Sequence, residues 1–272
     1  MFPRLFQIGD FSMPTYGVLF AVGIILGTWV GERNFERLGI DPRKARNLGL
    51  LVVACGLVGA KLLTIVNSWE FYAAQPHELF SWATLQAGGV FLGGLLAALL
   101  AGAWYMRRNG MPALLTADAC APGIALGHAV GRIGCFAAGC CWGKATEAFW
   151  GVTFSDSIAH KWAGTPLGVP LVPTQLLESL IEFVNFIVLS WLFRRRKFPG
   201  QVICAYLLLY GFARCGVEYF RGDPGRGSVF GGIMSGTQLI SILLMAVGTS
   251  LFLRGTLYSP QRLPAIALPP KR

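Results

Sequence analysis

The chain has 272 residues, of which 54% are hydrophobic and only 13% are charged, and its formal net charge at pH 7 is +10. Soluble domains carry about 25% charged residues, so this deficit, together with a mean hydropathy of +0.56, excludes an ordinary soluble fold. The basic residues cluster in short segments between apolar runs, which also excludes the spread basic surface of a soluble nucleic-acid-binding protein. The composition predicts an all-α polytopic membrane protein.

Seven apolar segments are long enough to cross a bilayer, for which a helix needs about 20 residues. In chain order they are residues 13–31, 48–66, 88–106, 114–133, 174–193, 201–220 and 235–253. Two longer connections, residues 67–87 and 134–173, follow the second and the fourth span. We predict that residues 1–272 form one transmembrane domain in which these two segments cap one face.

The basic residues predict the orientation of the spans, because the cytoplasmic loops of membrane proteins are enriched in Lys and Arg. Fifteen of the 23 Lys and Arg residues lie after the first, third and fifth spans and in the C-terminal tail. Five lie on the other side: Arg4, Lys144, Lys161, Arg221 and Arg226. The sequence therefore predicts an outer N-terminus and a cytoplasmic C-terminus, with residues 67–87 and 134–173 on the outer face.

The fifth and sixth spans each carry a stripe of polar residues. Those of the fifth span are Gln175, Glu178, Glu182 and Asn185, and those of the sixth are Tyr210, Arg214, Glu218 and Arg221. The spacings place each set on one face of its helix. Because a charge at the bilayer centre costs at least about 2.5–3.5 kcal/mol, both faces are expected to turn inward.

Charged residues in other spans extend this group. Lys61 lies in the second span, and in the fourth span Arg132 follows Asp118 by 14 residues, which is about 21 Å along a helix. One interpretation is a structural network in which Arg214 pairs with Glu218 and the other carboxylates pair with Lys61 or an arginine. However, arginines outnumber the nearby acids toward the outer side. Surplus guanidinium in a low-dielectric cavity favours an anionic ligand, and phosphate matches its fork geometry.

The end of the fourth span also holds three cysteines close to Arg132 and several glycines. Zinc sites generally pair their cysteines as CxxC, and Cys135, Cys140 and Cys141 lack that spacing, so no metal site is predicted. A disulfide on the outer face is an alternative, but the favoured interpretation is packing of small residues near a glycine turn. His128, four residues before Arg132, either orients the guanidinium or faces a neighbouring helix, and we favour the second.

Several short motifs follow one another along nearly the whole chain. The longest is Gly131-Arg132-Ile133-Gly134-Cys135-Phe136, followed by Gly139-Cys140-Cys141-Trp142-Gly143. The others are Tyr16-Gly17, Gly59-Ala60-Lys61-Leu62, residues 88–94 (GGVFLGG), residues 173–178 (PTQLLE) and residues 214–224 (RCGVEYFRGDP). Together with Asp118 ahead of the longest motif, they resemble in content and order the motifs of the prolipoprotein diacylglyceryl transferase family.

The resemblance implies a multi-pass enzyme of the bacterial cytoplasmic (inner) membrane. Such an enzyme transfers the diacylglyceryl group of phosphatidylglycerol to the lipobox cysteine thiol of a prolipoprotein signal peptide. A thioether forms and glycerol phosphate is released. No cofactor, no metal and no nucleic-acid partner are predicted.

The resemblance also implies roles for individual residues. Arg132 and Arg214 would hold the lipid phosphate and stabilise the charge that develops as the phosphate leaves. Tyr16 and Glu218 would complete the catalytic set by orienting the headgroup or an arginine. The residues expected to bind phosphatidylglycerol together with the two arginines are Gly143, Lys61, Gln175, Glu178, Arg221 and Asp118.

The chain departs from the family motifs at Cys135, Val172 and Leu177, and at Leu92, where the family has His or Tyr between glycines. Either the base that accepts the thiol proton lies elsewhere, or phosphate departure and a desolvated thiolate suffice. Two other functions are alternatives: a diverged relative that binds lipid or preprotein without transfer, and an anion transporter. Transporters are typically built from internal repeats, and the sequence shows no convincing repeat.

Overall fold

A computed structural model of the chain describes residues 2–8, 11–81, 84, 89–224 and 227–258. Helices make up most of these ranges. They are α1 (Thr15–Arg37), α2 (Pro42–Asn67), α3 (Trp69–Ala74), α4 (Phe91–Arg108), α5 (Ala113–Ala138), α6 (Ser157–Ala163), α7 (Thr174–Arg195), α8 (Gln201–Glu218) and α9 (Gly236–Tyr258). Two short 3-10 helices cover Pro76–Phe80 and Phe230–Gly232.

Three antiparallel hairpins adjoin the helix ends. They pair β1 (Arg4–Ile8) with β2 (Phe11–Pro14), β3 (Val152–Thr153) with β4 (Pro170–Leu171), and β5 (Ser228–Val229) with β6 (Met234–Ser235). Two isolated bridges, Gly143 with Arg221 and Ala145 with Leu171, tie the connections after α5 and α8 to each other and to β4. The two bridges therefore fasten together the segments that adjoin the ends of α5, α7 and α8.

Among the described residues, five helices are long and apolar enough to cross a membrane: α1, α2, α5, α7, and α9 as far as Leu257. The fold is therefore that of an all-α polytopic membrane protein. The helices α4 and α8 have 18 residues each. Such a helix is about 27 Å long, slightly less than the hydrocarbon core of about 30 Å, and both helices end in charged residues. Each of the seven predicted spans overlaps one of these seven helices.

The helix boundaries differ from the predicted spans because capping residues, not hydropathy, set them. The helix α2 starts at Pro42, where the Asp41 carboxylate accepts a hydrogen bond from the Arg43 backbone N–H at 2.9 Å. The helix α5 continues beyond residue 133 to Ala138, so Cys135 is helical. Residues 13–14 belong to β2, not to the first span. Residue 88, where the third span was predicted to begin, lies outside the described residues, as do Arg226 and the tail after Tyr258.

The central helix of the bundle is α5, which packs against α1 and α7 and also contacts α8. The pair α2–α4 lies beyond α1, and α9 lies beyond α8. The crossing of α1 and α5 requires glycine, because a Cβ atom on Gly27 would lie only 2.6 Å from the carbonyl oxygen of Gly123. Small residues let transmembrane helix backbones approach closely in this way. The helix that carries Arg132 is thus enclosed by its neighbours.

Asp118 is fully buried in α5 and caps the start of α8. Its Oδ2 accepts a hydrogen bond from the backbone N–H of Gly200 at 2.7 Å, and its Oδ1 accepts from Val202 and Ile203 at 2.9 Å. A carboxylate suits a helix N-terminus, where backbone N–H groups lack intrahelical acceptors. Since its oxygens are taken by α8 and Arg132 lies about 21 Å away along α5, we assign Asp118 to capping and not to lipid binding.

The capping role predicts that Asp118→Ala lowers the stability of the purified protein. Three buried N–H groups lose their charged acceptor, and a hydrogen bond to a charged group contributes about 1.5–3 kcal/mol. Thermal unfolding in detergent, followed by circular dichroism, should show a lower midpoint. Asp118→Asn keeps one acceptor oxygen and should lose less stability. An unchanged midpoint for Asp118→Ala would contradict the capping role.

Candidate functional site

The last turns of α5 and the first turns of α7 bring Arg132 and Glu178 together. The Nη2 atom of Arg132 donates a hydrogen bond to Oε1 of Glu178 at 2.7 Å. Its Nε donates to Nε2 of His128 at 3.3 Å, and its Nη1 contacts Sγ of Cys135 at 3.9 Å. The guanidinium is therefore held in one orientation by three side chains.

His128 takes both of the roles that the sequence left open. Its Nε2 accepts from Arg132, one helical turn later, and its Nδ1 lies 3.7 Å from Oε2 of Glu182 on α7. The favoured interpretation, that His128 faces a neighbouring helix, is confirmed. The two interpretations were treated as alternatives, and this was wrong, because His128 also contacts Arg132. The four-residue spacing of His128 and Arg132 was the signal for the second contact.

Arg214 on α8 joins the same cluster from the other side. Its Nη2 donates to Oε2 of Glu218 at 2.9 Å, and its Nε lies 3.8 Å from the Glu178 oxygen that accepts from Arg132. The side chains of Arg214, Glu178 and Glu218 are each only 4–5% exposed. One oxygen of Glu178 therefore lies between the buried guanidinium of Arg214 and the partly buried guanidinium of Arg132, which belong to different helices.

Two atoms of this cluster are buried without a hydrogen-bond partner in the described part of the chain. They are Nη1 of Arg214, a donor, and Oε2 of Glu178, an acceptor. An unpaired buried polar group costs about 1–3 kcal/mol, so such groups usually meet a ligand or water. The Arg214 Nη1 atom is a donor that an anionic ligand could use.

Arg221 follows α8 and is paired with Asp223 through two hydrogen bonds of 2.7 Å, from Nε and from Nη2. Burial lowers the pKa of the Arg221 guanidinium, but the hydrogen bonds to Asp223 together with the nearby negative charge of Cys141 and Asp223 hold the pKa above its ordinary value. The prediction that arginines outnumber the nearby acids is thus wrong, because Asp223, only two residues after Arg221, pairs with it. Three arginines face three carboxylates: Arg132, Arg214 and Arg221 against Glu178, Glu218 and Asp223.

The first residues of α7 hold the turn that follows α5. The side-chain amide of Gln175 donates to the Cys140 carbonyl oxygen at 2.7 Å, and the Thr174 hydroxyl donates to the Cys141 carbonyl oxygen at 2.8 Å. Gln175 was predicted to bind lipid, and this contact shows that it positions the turn. Thr174 was missed by the sequence analysis, although it lies within the 173–178 motif.

Gly143 lies where three segments of backbone meet. Its N–H donates to the Val172 carbonyl oxygen at 3.1 Å, and the neighbouring Lys144 N–H donates to the Phe220 carbonyl oxygen at 2.8 Å. A Cβ atom at position 143 would lie 2.4 Å from the Val172 oxygen and 2.9 Å from the Phe220 oxygen. Only glycine fits this space, and its contacts place Arg221 beside the end of α5.

Tyr16 and Lys61 lie on two other helices. The Tyr16 ring, at the start of α1, stacks on Phe20 and packs against Gly134, where a Cβ atom would lie 3.2 Å from the ring. Lys61 is on α2, and its ammonium donates to the Thr84 carbonyl oxygen. The structure thus brings Tyr16 to the last turns of α5, against Gly134, which lies two residues after Arg132. Lys61 lies on the α2–α4 pair.

The turn after α5 also gathers three thiols. The Sγ atoms of Cys135, Cys140 and Cys141 all lie within 4.8 Å of one another. The sequence spacing did not predict this, because it depends on the left-handed backbone of Gly139 (φ 79°) and Cys141 (φ 63°). The expectation of simple packing therefore overlooked a cluster of metal-ligating side chains, whose chemistry is considered below.

An open cavity of about 360 Å³ adjoins the arginine–carboxylate cluster. It is lined by Glu218 and Tyr219 at the end of α8, by Lys144, and by Ser235 and Gln238 near the start of α9. Glu218 belongs to both the cavity and the cluster, so it connects the buried arginines to open space. The fold and the site together define a polytopic helical membrane protein with a buried arginine–carboxylate cluster beside an open cavity.

A profile of the prolipoprotein diacylglyceryl transferase family matches residues 3–254, and the chain belongs to this family. It is 34% identical over 247 residues to phosphatidylglycerol–prolipoprotein diacylglyceryl transferase 2 of Clostridium perfringens, covering 90% of this chain and 92% of that protein. It is 31% identical over 252 residues to the corresponding transferase of Clostridium tetani, covering 93% and 97%. It is 32% identical over 253 residues to that of Vibrio cholerae, covering 90% and 88%. The family predicted from the motifs is confirmed.

The shared carboxylate predicts strong coupling between Arg132 and Glu178. Arg132→Met leaves Glu178 with the more distant Arg214 alone, and Glu178→Met leaves Arg132 without its carboxylate. Breaking a buried ion pair by removing one partner costs about 3–5 kcal/mol. The double variant removes both charges and should lose clearly less stability than the sum of the single losses. Thermal unfolding in detergent measures the three midpoints. As a control, Arg132→Met combined with the exposed Asp41→Ala should be additive. Additive losses for Arg132 and Glu178 would show that they are not coupled.

Proposed function

We propose that this chain transfers the diacylglyceryl group of phosphatidylglycerol to the lipobox cysteine thiol of prolipoproteins, forming a thioether and releasing glycerol phosphate. The family membership supports the reaction, since the relatives are named as phosphatidylglycerol–prolipoprotein diacylglyceryl transferases. The observation that carries the site assignment is the buried guanidinium of Arg214, whose Nη1 has no acceptor in the described part of the chain. A lipid phosphate supplies that acceptor.

Arg132 and Arg214 are the proposed phosphate clamp. The Glu178 oxygen, 2.7 Å from Arg132 and 3.8 Å from Arg214, holds both guanidinium groups in place before the lipid binds. Donors that are already oriented cost no reorganisation when charge develops. Because carboxylates balance the arginines, phosphate recognition depends on directed N–H groups in a low-dielectric site, not on an excess of positive charge.

The proposed reaction makes one bond and breaks one bond. The sulfur of the prolipoprotein cysteine bonds to the phosphate-bearing carbon of the diacylglycerol moiety, and the bond from this carbon to the phosphate oxygen breaks. The electron pair stays on the departing oxygen, and the thiol proton passes to a base or to water. Negative charge therefore grows on the leaving glycerol phosphate, where Arg132 and Arg214 stabilise it.

The other residues of the site are proposed to act around this clamp. Glu178 and Glu218 are positioning residues, because each holds an arginine. Tyr16, packed on Gly134 beside Arg132, is proposed to orient the headgroup. The cavity next to Glu218 is the proposed position of the glycerol headgroup. Gly143, Gln175 and Arg221 support the clamp by fixing the turn after α5.

We further propose seven spans, with α4 and α8 added to the five helices described above, in the bacterial inner membrane. The helices α1, α4 and α7 each end in basic residues: Arg37, Arg107 with Arg108, and Arg194 with Arg195. In the seven-span arrangement these helix ends lie on the side of the membrane opposite to Arg132. Under the positive-inside rule these ends face the cytoplasm. The arginine cluster then faces the outer side, where a translocated prolipoprotein presents its lipobox cysteine.

The phosphate clamp predicts that Arg214→Lys reduces transfer sharply while the protein remains folded. Lysine keeps the charge but loses the planar guanidinium donors. Loss of one oriented donor at a developing oxyanion typically costs about 100- to 1000-fold in rate. The measurement is the rate of thioether formation between phosphatidylglycerol and a lipobox peptide in detergent micelles.

The control for this experiment is Arg43→Lys, at an exposed arginine in the first turn of α2, which should transfer at the wild-type rate. An Arg214→Lys rate within a few-fold of wild type would contradict the clamp. A wild-type chain that binds phosphatidylglycerol but forms no thioether would contradict the transferase proposal itself.

The orientation predicts the behaviour of two fusions to the full-length chain. Green fluorescent protein at the C-terminus should fluoresce, because it folds in the cytoplasm. Alkaline phosphatase at the same position should be inactive, because it needs the outer, oxidising side. The comparison uses cells that express equal amounts of each fusion. An active phosphatase and a dark fluorescent fusion would place the C-terminus outside.

A further inference from the structure

The three thiols at the end of α5 form a preorganised cluster. Cys135 is buried in the last turns of the helix, and Cys140 and Cys141, both half-buried, return toward it across the following turn. All three Sγ atoms lie within 4.8 Å of one another. Three sulfur atoms bound to one metal at about 2.3 Å in a plane would be about 4 Å apart. The cluster therefore needs only small side-chain shifts to enclose an ion.

The backbone of this turn is held from several sides. Gln175 and Thr174 bind the carbonyl oxygens of Cys140 and Cys141, and the hydroxyl of the buried Thr165 donates to the Gly139 carbonyl oxygen at 2.9 Å. Cys141 has a left-handed conformation with φ 63°. A left-handed residue other than glycine costs about 1–2 kcal/mol, and it persists when its surroundings enforce it. The convergence of the thiols is thus built into the fold.

We propose that Cys135, Cys140 and Cys141 form a binding site for copper(I), coordinated by three thiolates. Soft thiolate ligands select copper(I), zinc and iron–sulfur clusters. Structural zinc sites use four protein ligands, whereas within the described residues this group comprises three cysteines and no histidine or carboxylate. Copper(I) is a soft monovalent ion, and coordination by three sulfur ligands matches the three cysteines of this cluster.

The charge balance of this site involves Arg132. Binding of one Cu⁺ by three thiols releases three protons and leaves two negative charges on the copper–thiolate group. The guanidinium of Arg132, whose Nη1 is 3.9 Å from the Cys135 sulfur, lies close enough to stabilise this charge. Copper loading should therefore draw Arg132 toward the sulfurs and away from a phosphate.

Copper binding can be measured on the full-length chain, purified in detergent under anaerobic, reducing conditions. Titration with Cu(I) against a chromogenic chelator should show one ion bound per chain. X-ray absorption of the loaded protein should show three sulfur neighbours. Cys140→Ser should weaken the apparent affinity at least about 100-fold, the upper end of what loss of a supporting second-shell residue costs. Serine is of similar size and offers a hydroxyl donor in place of the thiol that contacts the Cys135 carbonyl oxygen at 3.7 Å, so the variant should fold.

The matched control is Cys55→Ser, a half-buried thiol on α2 outside the cluster, whose affinity for Cu(I) should equal that of the wild type. Equal copper binding by Cys140→Ser and the wild type would overturn the proposal. The proposal would also be overturned if the chain forms a disulfide in air, with loss of two hydrogens per molecule, and after reduction binds copper no better than a variant with serine at positions 135, 140 and 141. Zinc binding without copper binding would overturn the choice of metal.

A second measurement concerns transfer and rests on the proposed function. One equivalent of Cu(I) should slow thioether formation by the wild type and by Cys55→Ser, and should leave Cys140→Ser unaffected. If the chain binds copper but shows no transfer at all, the metal site stands and the proposed function fails. If transfer proceeds normally and no variant binds copper, only the metal site fails.

Discussion

The site depends on one carboxylate oxygen of Glu178 that two guanidinium groups share. Arg132 comes from α5, Arg214 from α8 and Glu178 from α7, so this single atom links three helices in a place where water is scarce. Charges are costly in such a setting unless they are paired. The pairing fixes the helices relative to each other and, at the same time, orients the arginines as the proposed phosphate clamp requires.

The rest of the structure keeps these three helices at the required separation. Glycine at the crossing of α1 and α5 lets the central helix sit deep in the bundle. Thr174 and Gln175 bind the turn after α5, and Gly143 joins that turn to the residues after α8. These contacts all end on backbone carbonyl oxygens, so they fix the backbone around the arginine cluster. At the opposite end, Asp118 secures the start of α8.

The balance of charge in the cluster changes how anion recognition has to be understood. A site with surplus arginine would attract any anion, whereas here each arginine has its own carboxylate. Selectivity then depends on where the N–H groups point, and within this cluster Nη1 of Arg214 is a buried donor without a partner among the described residues. The neighbouring thiols of Cys135, Cys140 and Cys141 share Arg132 with this network, which couples any chemistry at the sulfurs to the phosphate clamp.

The sequence by itself determined the helices and the inward-facing polar stripes of α7 and α8. Apolar length and helical periodicity are local properties, and a bilayer requires long apolar helices whose polar faces turn inward. The sequence also predicted the pairing of Arg214 with Glu218, which lie one turn apart. Only the tertiary structure decided which distant residues meet. Asp118 caps α8 because that helix starts beside it, and Glu178 serves two arginines because three helices cross at that level. The thiols converge because Gly139 and Cys141 reverse the chain, a backbone conformation that spacing alone does not reveal.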